Sequence, residues 1–184
     1  MPISNQDWEL HIVREAEQRR AADGRRRTVG RYQVYHDGAA QTGADLQGTT
    51  AESKGPGANW PADNGKRIEQ GRYPLWTHAP GRYATFNYSG SEDPDAEPKP
   101  GFELKDTGAR YEILVHPGHD FLASVGCINL CQSLPSAHES ITYAPSRKRI
   151  ISVVTDMKNY LGPEFPKSNG KIIPRAWVII DGEP

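Results

Sequence analysis

Apolar positions recur at two spacings along the chain, and the spacing divides it into candidate elements. Over residues 6–22, Trp8, Ile12, Val13 and Ala16 repeat at helical intervals among Glu and Arg, which predicts an amphipathic helix stopping at Gly24. The Arg25-Arg26-Arg27 run reads as a solvated helix exit near the negative end of the dipole, with a contact to an acidic partner as the alternative. Residues 29–36, VGRYQVYH, alternate as a strand does. Residues 37–66 are rich in Gly, Ala, Asp, Asn and Thr and predict a long loop, in which Trp60 is expected to pack over a neighbour.

Residues 67–77 and 82–88 predict two strands, joined by the turn Ala79-Pro80-Gly81 into a hairpin. The acidic, Pro-rich segment 89–101 predicts a solvated loop. Ile113, Leu114 and Val115 begin a further strand that breaks at the turn pair Pro117-Gly118. The segment INLCQSLP is short and apolar, and Ser146 is placed to cap a helix running to about Leu161. Ile150, Val153, Val154, Met157 and Leu161 give that helix a buried stripe, Gly162-Pro163 end it, and residues 175–181 form a last strand.

Composition narrows the class. A chain of 184 residues suits one domain with a real core, and 18 Gly with 15 Pro favour many turns and a β-rich fold. The net charge of −1 gives no case for nucleic acid or membrane binding, and no apolar run reaches the roughly 18 residues of a spanning helix. The start MPISNQDWEL lacks the cationic and apolar regions of an ordinary secretory signal. Two cysteines, Cys127 and Cys131, do not make a disulfide scaffold. No CxxC or paired HxxxH spacing occurs, so neither a structural zinc nor another cofactor is expected.

The candidate chemistry concentrates between Tyr111 and Leu130, YEILVHPGHDFLASVGCINL. A cysteine following a glycine, with histidines upstream, is a candidate nucleophile and base pair: Cys127 with His116, or with its rival His119. His116 ends its strand, and a rigid element holds a base better than a turn does. Gly126 permits a sharp turn, and Asn129 with the neighbouring backbone amides could stabilise an oxyanion. A nearby imidazolium would lower the thiol pKa below about 8.5. Arg72, Arg82 and Arg110 are candidates for binding a substrate carboxylate, with nothing to select among them.

Gly126-Cys127-Ile128-Asn129, preceded by Ser124, resembles the signature of the L,D-transpeptidase (YkuD-type) family, with Val125 where that family usually has a second His. The run Arg67 to Tyr73, followed by His116-Pro117-Gly118-His119, is similar to a compact branch of small bacterial and phage domains of that superfamily. The resemblance covers roughly Thr28 to Gln132. It implies a β-rich fold with the cysteine nucleophile at a strand end; joined to the two helices read from periodicity, this predicts an α+β domain, mostly an antiparallel sheet or sandwich, over residues 28–184, with residues 1–27 as an N-terminal helical extension.

It also implies a function: Cys127 acylated by a peptidoglycan stem peptide, the acyl group passing to an amine or water. Ser124, Gly126, His116 and His119 would complete the catalytic group, and Arg72, Tyr73, Arg110 and Asn129 would bind substrate. The resemblance further implies action in the periplasm or cell wall, reached by specialised export or by lysis. As an antibacterial toxin the chain would have an immunity protein as partner; a phage lysis protein is the other setting. A non-catalytic wall-binding or partner-binding module on the same fold is a second reading. A metal-dependent amidase using His78, His116 and His119 is a third, short of a ligand.

Overall fold

Trp8, Leu10, Ile12 and Arg14 are buried and the residues from His11 onward between them are less so, which is the period of a strand. In the computed structural model, which describes residues 3–79 and 81–184, Trp8–Arg19 is strand β1, and the helix expected over 6–22 does not form. The helix-forming run Arg14 to Ala22 made the helical reading reasonable on propensity alone. Tertiary pairing overrides it: β1 runs antiparallel to β2 (Arg26–His36) and parallel to β11 (Ile172–Asp181). Residues 8–19 are therefore a wall of the fold and not a helical extension. Arg27 is not a solvated helix exit either; it is buried beneath Phe121 and donates to the carbonyls of Phe121 and Ser136.

The remaining elements are β3 (Ala39–Ala40), β4 (Gln47–Glu52), β5 (Gly71–Thr77), β6 (Tyr83–Ala84), β7 (Lys99–Pro100), β8 (Phe102–Leu104), β9 (Ile113–Pro117), β10 (Ile128–Cys131) and helix α1 (Tyr143–Leu161). The large sheet runs β1-β11-β5-β8-β9-β10-β4-β2-β3, and the pairing of β1 with β2 closes it into a barrel-like ring with β3 appended. Closure removes the exposed edges an open sheet would carry. Most pairs are antiparallel; β1–β11 and β9–β10 are parallel.

The core joins strand residues such as Leu10, Leu75, Phe102, Val115 and Val178 to the α1 stripe Ile150, Val153, Val154, Met157 and Leu161, as the helical periodicity predicts. Gly162 caps the helix with a positive φ, its N–H donating to the Lys158 carbonyl. Ser146 is not the cap, a position held by Thr142. Ser146 lies inside the helix, where its hydroxyl receives the Gly118 N–H at 2.8 Å and donates to the Leu130 carbonyl, tying α1 to the ends of β9 and β10.

Two further expectations change. The loop 37–66 contains β4, whose buried Thr50, Ala51 and Glu52 pack between β2 and β10; small and polar residues hid it. Trp60 is 76% exposed, not covered as expected. The hairpin of 67–77 with 82–88 is also absent. Both edges of β5 are taken by β11 and β8. Thr85 and Phe86 instead donate their N–H groups to Asn169 Oδ1, and only Tyr83–Ala84 pairs, in parallel, with β7. The solvated loop of 89–101 accordingly ends in a buried pair, Lys99 and Pro100.

Candidate active site

β9 and β10 lie side by side in parallel, and their register sets Asn129 opposite His116. Cys127 immediately precedes β10. Its thiol receives the Leu114 N–H at 3.4 Å and approaches the Glu112 carbonyl at 3.5 Å, so the sulfur sits at the mouth of β9. Cys127 and His116 line one cleft of about 520 Å³, together with His78, Tyr83, Lys99 and His119. The β6–β7 pair forms the facing wall, bringing Tyr83 within 4.3 Å of the His116 ring, centroid to centroid.

His116 is buried, and its Nδ1 lies 2.8 Å from the Pro117 carbonyl. A carbonyl only accepts, so Nδ1 carries the proton and Nε2 keeps its lone pair. Burial holds the imidazole pKa down to about 4, and the charges of Lys99, His119 and Arg82 act in the same direction. The ring is therefore a neutral base at neutral pH. With no imidazolium beside it, Cys127 does not have the lowered pKa expected from the sequence. Burial pushes the thiol above its ordinary value, against the opposing pull of the Leu114 amide and the Arg110 guanidinium. Thiol and imidazole thus face the cleft as a neutral pair, a state that requires proton transfer to generate the nucleophile.

The turn before Cys127 is held from several sides. Gly126 adopts φ +109°, and a Cβ there would collide with the Arg110 guanidinium. Its N–H donates to Ser53 Oγ at 2.9 Å, so this amide is not free to receive an oxyanion. Ser124 donates its hydroxyl to the Cys127 carbonyl at 2.6 Å, which makes it a positioning residue. Val125 is 74% exposed beside the turn.

Asn129 does not line the cleft. It is fully buried, and its Nδ2 donates to the His116 carbonyl at 3.2 Å. Arg110 is also buried and spends its guanidinium on the carbonyls of Lys66 and Ala58 behind the Gly126 turn. Arg72 and Tyr73 lie on β5, outside the cleft lining. Arg72 stacks over Trp177 at 4.0 Å, and buried Tyr73 donates to the Glu69 carbonyl. Of the three arginines proposed for a carboxylate, Arg82 alone lines the cleft, where it pairs with Glu97 at 2.8 Å. His119 reaches the cleft too, half-exposed and paired with its neighbour Asp120 at 2.9 Å.

His78 borders the same cleft, its Nδ1 3.2 Å from buried Glu103 of β8. The three cleft histidines each engage a different protein group, and among the described residues no set of three or more His, Cys, Asp or Glu side chains is arranged to hold a metal ion. Sequence reading missed Lys99, Tyr83 and Glu103. They lie on short elements far along the chain from Cys127, and no spacing rule connects them to it. Both sulfurs are free, and Cys131 is buried in a separate small cluster with Val29, Ala51 and Leu134.

Compared with known proteins, the chain matches no family model, no curated sequence and no solved structure. Among the described residues no helix is long and apolar enough to cross a membrane.

Proposed function

We propose that this chain is a cysteine acyl-transfer enzyme resembling the L,D-transpeptidases, acting on peptidoglycan stem peptides. The observation that carries this reading is the delivery of Cys127 and His116 to one cleft from adjacent parallel strands, with His116 Nδ1 committed to Pro117 and Nε2 left as the base. His116 Nε2 takes the Cys127 proton as the sulfur attacks the peptide carbonyl. With the Gly126 amide engaged by Ser53, the oxyanion falls to the Cys127 N–H. The C–N bond breaks, the leaving amine takes the proton from the imidazolium, and a thioester remains. An amine or water then attacks the thioester and the thiol is restored, giving transpeptidation, exchange or cleavage.

The setting proposed is the periplasm or cell wall, reached by specialised export or by lysis. By analogy with wall-active enzymes delivered into rival cells, the proposed role is that of an antibacterial toxin with an immunity protein as partner. The test is mass spectrometry of the protein after incubation with a stem tetrapeptide or a carbapenem. An adduct on Cys127 that disappears in Cys127→Ala is expected; no adduct, while a known L,D-transpeptidase reacts in parallel, would overturn the proposal. The raised thiol pKa favours a second reading, a non-catalytic wall-binding module, in which Cys127→Ala leaves binding to sacculi intact.

A further inference from the structure

Lys99 is a charged side chain whose length folding has buried, with its ammonium left toward the cleft and without a protein counter-charge. It is 3% exposed, and among the described residues it makes no ion pair or side-chain hydrogen bond. An ammonium that loses its water without gaining a partner is costly, and such groups are ordinarily paired. The register explains where this one points. Lys99 stands opposite Tyr83 in the parallel β6–β7 pair, and both side chains line the cleft that holds Cys127 and His116. The other groups facing this space are differently committed. Arg82 pairs with Glu97, His119 with Asp120 and His78 with Glu103, while Glu112 lies exposed at the rim and unpaired with Lys99.

We infer that Lys99 is the carboxylate-binding residue of this cleft, the ion partner of an acidic group carried by the peptide within a residue or two of the carbonyl that Cys127 attacks. The inference rests on the proposed acyl-transfer reading and names the substrate feature that reading leaves open. A carboxylate entering the cleft would complete the ion pair the fold lacks, and a neutral analogue would displace the cleft water and leave the ammonium unpaired. Rejection of the neutral analogue follows from that asymmetry. The charge would serve the reaction as well, because it already disfavours protonation of His116. In a stem peptide two carboxylates qualify: the one at the C-terminus and the one on the side chain of the diamino acid.

The experiment is calorimetric binding to Cys127→Ser, which cannot form a thioester. The probes are a stem tetrapeptide, its C-terminal amide and the form amidated on the diamino acid side chain. One of the two amides is expected to bind about tenfold or more weakly than the acid, and which one identifies the carboxylate. Adding Lys99→Met should bring the acid down to the level of that amide, and Lys99→Arg should keep the preference. Equal binding of all three peptides, no binding of the acid, or a preference that survives Lys99→Met would each overturn the inference. A Lys99→Met protein that fails to fold, by thermal melting, leaves the acid-against-amide comparison to decide. Failure of the parent reading is separate: it is the absence of acylation on wild-type Cys127, whatever the calorimetry gives.

Discussion

Asn129 holds His116 from the neighbouring strand: its Nδ2 donates to the His116 carbonyl at 3.2 Å and lies 3.4 Å from the ring Nδ1. The contact is enforced from behind. A Cβ on Gly118 would stand 2.8 Å from Asn129 Cγ and Oδ1, so the turn residue has to be glycine for the amide to occupy its place. Asn129 is therefore a positioning residue for His116, the proposed base.

Gly118→Ala should push Asn129 off His116, lower the acylation rate and destabilise the fold by about 1–3 kcal/mol, the usual cost of overpacking. The double variant Gly118→Ala with Asn129→Ala should recover part of the stability without recovering the rate. Urea unfolding of the four proteins of this cycle checks the coupling, and additive effects would show that the two residues do not press on each other.

His116→Ala should reduce acylation of Cys127 by about 100-fold or more, the scale of a lost general base. His119→Ala should be milder, since that ring is half-exposed and paired with Asp120. Single-turnover acylation rates of both variants distinguish them. A larger loss from His119→Ala would reverse the assignment.

The pH profile of acylation should keep its acid limb near pH 4, where His116 takes up its proton, well below the 6.5 of an ordinary imidazole. Alkylation of Cys127 by iodoacetamide should still be rising beyond the ordinary thiol value of 9.0, because burial raises this thiol. An alkylation curve that levels below pH 8 would mean a stabilised thiolate instead.

Stability should fall on mild acidification. The folded His116 accepts a proton only at about pH 4, against 6.5 ordinarily, so between those values the unfolded chain binds a proton that the folded chain refuses. Stability is therefore full above pH 6.5 and declines as pH drops toward 4, by about 3 kcal/mol at about 1.4 kcal/mol per pH unit. His116→Gln should flatten this part of the profile, measured as denaturant midpoints between pH 7 and pH 4.5. An unchanged slope would place the acid lability elsewhere.

Gly126→Ala combines a strained φ of +109° with a collision against Arg110, and should cost about 2 kcal/mol or more. Because the same turn aims Cys127, iodoacetamide reactivity should change along with the melting temperature. A variant as stable and reactive as wild type would show that the turn can relax.

The local parts of the site were legible in the chain because they are local. His116, Gly126, Cys127 and Asn129 fall within one short stretch, and the crossover over residues 118–127 returns the chain to lay β10 beside β9 in parallel. The stripe of α1 was legible for the same reason, a helix being the one element whose periodicity is complete within its own residues. The role of Asn129 was not. Its residue type suits an oxyanion donor equally well, and only the parallel register turned its amide toward His116 instead of the cleft.

By itself, then, the order of residues determined the α1 stripe, the strand that carries His116 and the chemical types that meet near Cys127, while the turn expected at Pro117-Gly118 gave way to pairing of Pro117 with Leu130. Tertiary structure decided everything that depends on neighbours distant in sequence. Trp8–Arg19 carries helix-forming residues yet becomes a strand, since pairing with β2 and β11 satisfies its backbone and buries Trp8, Leu10 and Ile12. Thr50-Ala51 becomes a buried strand because pairing with β2 and β10 on both edges satisfies its backbone. Arg72 and Arg110, plausible as substrate ligands by type, were consumed by Trp177 and by backbone carbonyls, while Lys99 was left facing the cleft. Local propensity acts through a few tenths of a kcal/mol per residue, whereas burial of one large side chain contributes about 1.5–3 kcal/mol, so where they conflict the long-range contacts prevail.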